Sequence, residues 1–403
     1  MQNNPSNESE KGEVSGKTIK NLNKAAERIK KAAEKNERIV IYGDTDLDGV
    51  VSVVVLKEAL QNLGRTRPFI YFPNREKEGY GINKKALAVM RRLSPALMIA
   101  LDCGIGNFEE VMLAKKMGFE VIIIDHHEIL KKIPNASIVV DPKQKGDEYP
   151  FKEFAAAGIV FKLAELLLGR EFSISLRRSF AEIVALATIA DMMVRTGDNK
   201  VLIGEGLRTI RESSRAGIKV FFEPEFSKAF NATPENLNDY ISKMNSLLNV
   251  RDVQKGLPAS YRMLTVNSLE VARNILRRLI KKNVNRRKMI EATVKQVEER
   301  IADRENDNLV FEGSSNWDIV FLSPVASIIC QKFNKPVFIY RKEKKETQGT
   351  VRMPSGTNGV KALLHCSRLL KTYGGHPGAA GFRIINSNLE KFKKCLINYF
   401  KKQ

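Results

Sequence analysis

The feature that most constrains this chain is a repeated unit in which a short apolar run ends on acidic residues and a helical stretch follows. ERIVIYGDTD, ALMIALDCG and FEVIIIDHH each close a strand-length run on aspartate, and PFIYF is a fourth apolar run. VVSVVVLKEALQNLG, NKKALAVMRRL and NFEEVMLAKKMG supply helices between them. Strands alternating with helices predict a parallel sheet covered on both faces. Ligands of such sheets collect at the carboxyl ends of the strands, so three strands deliver their acidic residues to one edge.

At roughly 150 residues per domain, 403 residues predict two or three domains. Residues 1–17 read as a disordered tail and 18–35 as an amphipathic basic helix opening a first domain, 18–267. Its second half is mainly helical, with AEIVALATIADMM as a buried helix carrying Asp191 inside it. In 268–304, Leu269, Ala272, Ile275, Leu276, Leu279 and Ile280 recur at helical spacing, which predicts a long connecting helix. Residues 305–403 read as a smaller α/β domain: strand WDIVFLS, helix VASIICQKF, strands PVFIYR and TQGTVRM, helix GVKALLHCSRLLKTY, a Gly-rich turn and strand GFRII. The fold class is α/β and two-lobed.

No apolar run approaches the roughly 18 residues of a membrane span, and the polar N-terminus lacks the apolar core of a secretory signal. Cys103, Cys330, Cys366 and Cys395 are scattered with no CxxC pair. That pattern indicates neither a zinc ribbon nor a disulfide framework, and a reducing cytoplasm is the expected compartment. The net charge of +21 fits a polyanionic partner or a lysine-rich solvated surface. Part of it is local, because 268–304 holds eleven Lys/Arg against five Asp/Glu.

Five constellations carry chemistry. In Gly43-Asp44-Thr45-Asp46-Leu47-Asp48-Gly49, alternate aspartates at a strand end can converge on one point, which suits hard divalent cations. A calcium-binding EF-hand is excluded, because loop position 12 counted from Asp44 is Val55 rather than Glu. Asp102 closes the second strand, and Asp125-His126-His127-Glu128 closes the third, pairing imidazole with carboxylate as divalent-metal shells do. Asp191 is a charge in an apolar helix, costly to bury unless paired or metal-bound. The last is Tyr373-Gly374-Gly375-His376-Pro377-Gly378, whose glycines let backbone amides approach a phosphate.

This ordered set resembles the DHH phosphoesterase superfamily over roughly residues 38–385. Within it, FPNREKEGYGI, AAAGIVFKLAELL, TIADMM and TVRMPSG are most similar to the RecJ-like branch of single-strand-specific exonucleases. The resemblance implies a metal-bearing N-terminal lobe and a substrate-binding C-terminal lobe facing each other across a cleft, with two Mn²⁺ or Mg²⁺ ions. It implies that Asp46, with Asp44, holds one ion and Asp48 the other, that Asp102 bridges them, and that His126 and Asp191 complete the ligand set of the second ion. His127 would contact the scissile phosphate while Asp125 orients the imidazole. Arg352, His376, Gly374 and Gly375 would approach phosphates, and Asn74, Arg75 and Tyr80 would lie near the cleft.

The implied activity is metal-dependent 5′ to 3′ degradation of single-stranded DNA in repair or recombination, with repair or replication proteins as partners. Two alternatives stand beside it. A phosphodiesterase for short oligoribonucleotides or cyclic dinucleotides needs only a compact pocket, which the basic 268–304 segment argues against. A catalytically silent scaffold should have lost metal ligands, and here every expected one is present. The sequence departs from the branch in ISKMNSLLNV, which matches an Arg- and Asn-bearing stretch only loosely, and in NWDIVFLSPVAS, which lacks the usual Gly-rich form. About twenty residues follow Gly381, too few for the oligonucleotide-binding barrel that larger bacterial relatives append.

Overall fold

The computed structural model describes residues 17–64, 67–75, 78–129, 132–229, 235–304 and 307–401. The tail expected over 1–17 lies, apart from Lys17, outside the described residues. The chain divides into two compact units, Met1–Ile280 and Lys281–Gln403.

The first unit opens with α1 (Leu22–Glu34), β1 (Ile39–Gly43), α2 (Leu47–Asn62), β2 (Phe69–Tyr71), α3 (Lys84–Met90), β3 (Ala96–Leu101), α4 (Phe108–Lys116), β4 (Phe119–Ile124) and β5 (Ile138–Val140). All the pairings in its sheet are parallel, in the order β2-β1-β3-β4-β5. Period-two alternation divides the strands between two cores. Ile39, Ile41, Leu97, Ile99, Ile122 and Ile124 join the cluster beneath α1 and α2. Val40, Tyr42, Met98, Ala100, Val121 and Ile123 pack with α3 and α4. The strand order reverses between β1 and β3, and that switch point is where open parallel sheets bind ligands.

Helices α5 (Ala156–Leu168), α6 (Ile174–Ala190), α7 (Gly197–Thr209), α8 (Ala216–Lys219), α9 (Pro224–Ala229), α10 (Leu237–Leu248) and α11 (Ala259–Thr265) follow. Asp191 is not inside α6, as the sequence pattern suggests, but is its C-cap. The helix ends there because Met192 turns to a positive φ of 58°. The long helix exists as α12 (Leu269–Ile301). Its first residues, including Ala272, Leu276 and Leu279, belong to the first unit's core, and Ile290, Val297 and Ile301 belong to a core of the second.

The second unit continues with β6 (Val310–Gly313), α13 (Ile319–Phe333), β7 (Val337–Lys342), β8 (Glu346–Arg352), α14 (Gly359–His365), β9 (Leu370–His376), β10 (Ala379–Ile385) and α15 (Leu389–Phe400). Its sheet runs β6-β7-β8-β10-β9, parallel at β6/β7 and antiparallel elsewhere. Four expectations need correction here. The helix read over GVKALLHCSRLLKTY ends at His365, and Leu370, Lys371, Thr372 and Tyr373 lie on β9. WDIVFLS is not a strand: Asp318 accepts a hydrogen bond from Val320 N (3.1 Å) as the N-cap of α13, and the strand is the earlier Val310–Gly313. Gly374 and Gly375 are not in a turn but on β9, paired with Gly381 and Ala380. Gly375 has a φ of 135°, and a Cβ there would lie 2.4 Å from Ala379 O, so glycine is required. Finally, Cys366 and Cys395 form a disulfide, because α15 folds back beside the end of α14 and brings residues 29 apart in sequence together. Cys103 and Cys330 are free and buried. Among the described residues no helix is long and apolar enough to cross a membrane.

Candidate metal centre

Four strands of the first sheet end in aspartate at one edge: Asp44 after β1, Asp102 after β3, Asp125 after β4 and Asp141 after β5. The backbone ladder runs on through the first three, with Asp44 N donating to Leu101 O (3.3 Å), Asp102 N to Ile124 O (3.0 Å) and Asp125 N to Val140 O (3.0 Å). Asp102 is held at φ 59°, in the left-handed region that aspartate tolerates better than most residues. The DxDxDG turn is closed by Gly49, where a Cβ would lie 2.6 Å from Asp44 O. Asp46 caps α2 by accepting from Gly49 N (3.1 Å).

Asp48 points the other way and is buried. Its two oxygens accept from Ala156 N (2.8 Å) and Ala157 N (2.9 Å), so it sits on the positive end of α5. Burial, then the neighbouring Asp191, still pushes its pKa up to about 8 against the help of those amides. Asp102 is raised well above the carboxylate range by burial and then by Asp48, Asp46 and Asp125. Burial and Asp46 lift Asp191 to about 6.

His126 stands among these oxygens. Its Nε2 is 3.3 Å from Asp102 Oδ1, 3.5 Å from Asp191 Oδ2 and 3.7 Å from Asp48 Oδ2, and it makes no hydrogen bond. Burial and His127 lower its pKa to about 4, so the ring is neutral and can offer a lone pair to a cation. Asp102 Oδ1 and Asp191 Oδ2 are likewise buried without a hydrogen-bond partner. Donor atoms gathered this way need a proton or a cation among them, so the donor set fits divalent ions.

Three trios offer ligand atoms within 4.8 Å of one another: Asp44, Asp46 and Asp102; Asp48, His126 and Asp191; and Asp102, His126 and His127. Asp125 is in none of them. Its Oδ1 accepts from His126 N (2.8 Å) and lies 2.6 Å from His127 Nδ1, and its Oδ2 accepts from Ile105 N (3.0 Å). Burial would raise Asp125, but the His127 bond and the backbone amide outweigh it and hold the carboxyl below its usual range. For His127 burial alone would lower the pKa, and the bond to Asp125 outweighs it, raising the ring above its usual value.

Tyr80 and Arg75 border the edge. Tyr80 Oη is 3.3 Å from His127 Nε2, and its ring stacks under the Arg75 guanidinium at 5.3 Å. Arg75 Nε donates to Asp44 Oδ1 (2.7 Å), and its Nη2 reaches Asp44 Oδ2 and Asp46 Oδ2, the latter at 3.0 Å. The residue expected near a substrate is therefore also bound to the acidic turn. Asn74 and Arg75 line a cavity of about 340 Å³ together with Thr45, Asp46, Asn249 and Arg251.

Arg251 was missed because it lies one residue beyond the loosely matching ISKMNSLLNV. Asp141, buried and raised to about 7 chiefly by desolvation, was also missed. Its signal is the one the other strand ends carry, a short apolar run, here IVV, closing on aspartate.

Arg352, Gly374, Gly375 and His376 belong to the second unit. There Arg352 on β8 and His376 on β9 both pair with Ala379 of β10, so the strands bring their backbones to one level. The His376 side chain lies outside the described residues.

The model of the DHH family N-terminal domain matches residues 38–188 and that of the DHHA1 domain matches 306–402. The chain belongs to the DHH family. Among DHH-family relatives, the single-stranded-DNA-specific exonuclease RecJ of Bacillus subtilis is 32% identical over 370 residues, 91% of this chain and 46% of that protein. RecJ of Thermus thermophilus is 30% identical over 93% of this chain and 54% of its own length. The chain thus spans about half the length of these two relatives. The crystal structure of exonuclease RecJ bound to manganese superposes with a TM-score of 0.80 at 27% identity, covering 96% of both chains.

Proposed function

We propose that this chain is a metal-dependent exonuclease that hydrolyses single-stranded DNA from the 5′ end, with two divalent ions, Mn²⁺ or Mg²⁺, as cofactors. The observation that carries the reading is the neutral His126 Nε2 set within 3.7 Å of three buried or part-buried carboxylates. Asp44, Asp46 and Asp102 would hold one ion, and Asp48, His126 and Asp191 the other. The 3.3 Å approach of Asp102 to His126 supports Asp102 as the residue that would be shared between them. Bound ions of this kind lower the pKa of water and offset charge that develops on a phosphodiester.

The chain's own residues do the rest. Asp125 fixes the His127 ring through Nδ1, which leaves Nε2 as the atom that can carry a proton to a phosphate oxygen. Arg75, braced on Asp44 and by the Tyr80 ring, and Arg251 put two cations on the cavity beside the acidic turn. In the second unit Arg352 supplies a permanent charge for phosphate. Support for single-stranded DNA comes from the relatives, which are named for it, and support for manganese from the solved neighbour. A role in DNA repair or recombination, repair or replication proteins as partners, and a cytoplasmic location are parts of the same proposal.

The test is incubation of 5′- and 3′-labelled single strands with Mn²⁺. The 5′ label is released first as a mononucleotide if the reading is right. No release from either strand sinks it, and 3′ label released first reverses the polarity.

A further inference from the structure

The second unit holds an arginine with no counter-ion. The Arg352 guanidinium is half-buried, and among the described residues no carboxylate pairs with it; burial holds its pKa below the usual value. Neutral oxygens hold it instead. Nε donates to Ser327 Oγ (3.0 Å), Nη1 to Val351 O (2.9 Å) and Thr350 Oγ1 (3.3 Å), and Nη2 to Ser323 Oγ. Four of the five N–H donors are thereby oriented while the charge stays uncompensated, and one Nη2 hydrogen has no acceptor among the described residues.

The two serines lie one turn apart on α13, and their protons are committed differently. Ser327 Oγ donates to Ser323 O (3.1 Å), so toward Arg352 it acts only as an acceptor. Ser323 Oγ accepts from Nη2, and its own hydroxyl hydrogen has no acceptor among the described residues. A part-buried hydroxyl with a free proton beside a guanidinium with a free proton is a two-donor cradle for an anionic oxygen. Ser323 also falls in NWDIVFLSPVAS, the segment that departs from the Gly-rich form, so this donor belongs to this chain's own sequence.

We propose that Ser323 is a phosphate-binding residue that shares a phosphodiester oxygen of the single strand with Arg352 Nη2, and that Ser327 is the positioning residue that aims the guanidinium. The proposal rests on the nuclease reading in taking the ligand to be a nucleic-acid phosphate, and its test separates the two.

The full chain is titrated, in chelator so that nothing is cut, into a 5′-fluorescein oligothymidylate at several salt concentrations, with anisotropy as the readout. Ser323→Ala is expected to raise Kd about tenfold with the salt slope unchanged, because a neutral donor displaces no counter-ion. Arg352→Gln should raise Kd further and reduce the log-log slope by about 0.7. Ser323→Thr and Ser327→Thr keep the hydroxyl and should bind within about twofold of wild type, while Ser327→Ala weakens binding. Wild-type affinity in Ser323→Ala beside weakened Arg352→Gln overturns the serine assignment alone. Wild-type affinity and slope in both variants overturns the phosphate-binding reading of the second unit as well. A Ser323→Thr variant that is folded but as weak as Ser323→Ala also refutes the hydroxyl's role.

Discussion

The two units leave opposite charges uncompensated, and they do so by different means. In the first, Asp48, Asp102 and Asp191 are forced close to one another and to a neutral imidazole by strand ends and helix termini that the core fixes. In the second, Arg352 is oriented by hydroxyls and a carbonyl that leave its charge whole. The first arrangement is electrostatically unfavourable until cations arrive, whereas the second is short only of an anion. The proposed substrate brings an anion for the second, and its metal ions bring cations for the first.

Removing a charge from each unit should therefore have opposite signatures. Asp102→Asn is expected to lower turnover by about a thousandfold with Mn²⁺ present, since it takes away the shared ligand. The same variant should melt at a higher temperature than wild type in chelator at alkaline pH, where the raised Asp102 carboxyl is ionised and opposes Asp48 and Asp46. Steady-state rates and thermal unfolding in chelator check both arms. An unchanged rate, or a less stable chelated protein, would show that Asp102 neither holds an ion nor opposes its neighbours. Arg352→Gln offers no such gain: it weakens strand binding and leaves a buried donor set disrupted.

A smaller effect sharpens the same point through pH. Asp48 titrates at about 8 and Asp191 at about 6 in the folded chain, while unfolded aspartates titrate near 4. Between about pH 4 and 8 the folded state thus binds more protons than the unfolded one, so the chelated protein should lose stability as pH rises through that window. Mn²⁺ should restore more stability at pH 8 than at pH 5. Differential scanning fluorimetry across pH, with and without chelator, decides it; stability that climbs with pH in chelator would mean the carboxylates are not opposing one another.

Much of the first unit was legible because its strands are uniformly apolar and stop on aspartate, a pattern with one sheet type behind it. The same alternation identified Asp44, Asp102 and Asp125 at one edge and should have identified Asp141. Contacts made by residues far apart in sequence were not legible. Nothing local says that Asp48 sits on the amides of Ala156 and Ala157, that Arg75 reaches back to Asp44, or that Cys366 meets Cys395. In the second unit WDIVFLS reads as a strand by composition, yet Asp318 caps a helix there, and tertiary packing of Leu322, Val325 and Ala326 overrides the β-branched preference. That misreading hid the pairing of Ser323 with Ser327, because a helix sets residues four apart one turn from each other, whereas a strand would space them about 13 Å apart.

The most direct test of the account is anomalous scattering at the manganese edge from crystals of the full chain soaked in Mn²⁺. Two peaks are predicted, one adjoining Asp44, Asp46 and Asp102 and the other adjoining Asp48, His126 and Asp191. A single peak, or peaks away from the β1–β3–β4 strand ends, would contradict it.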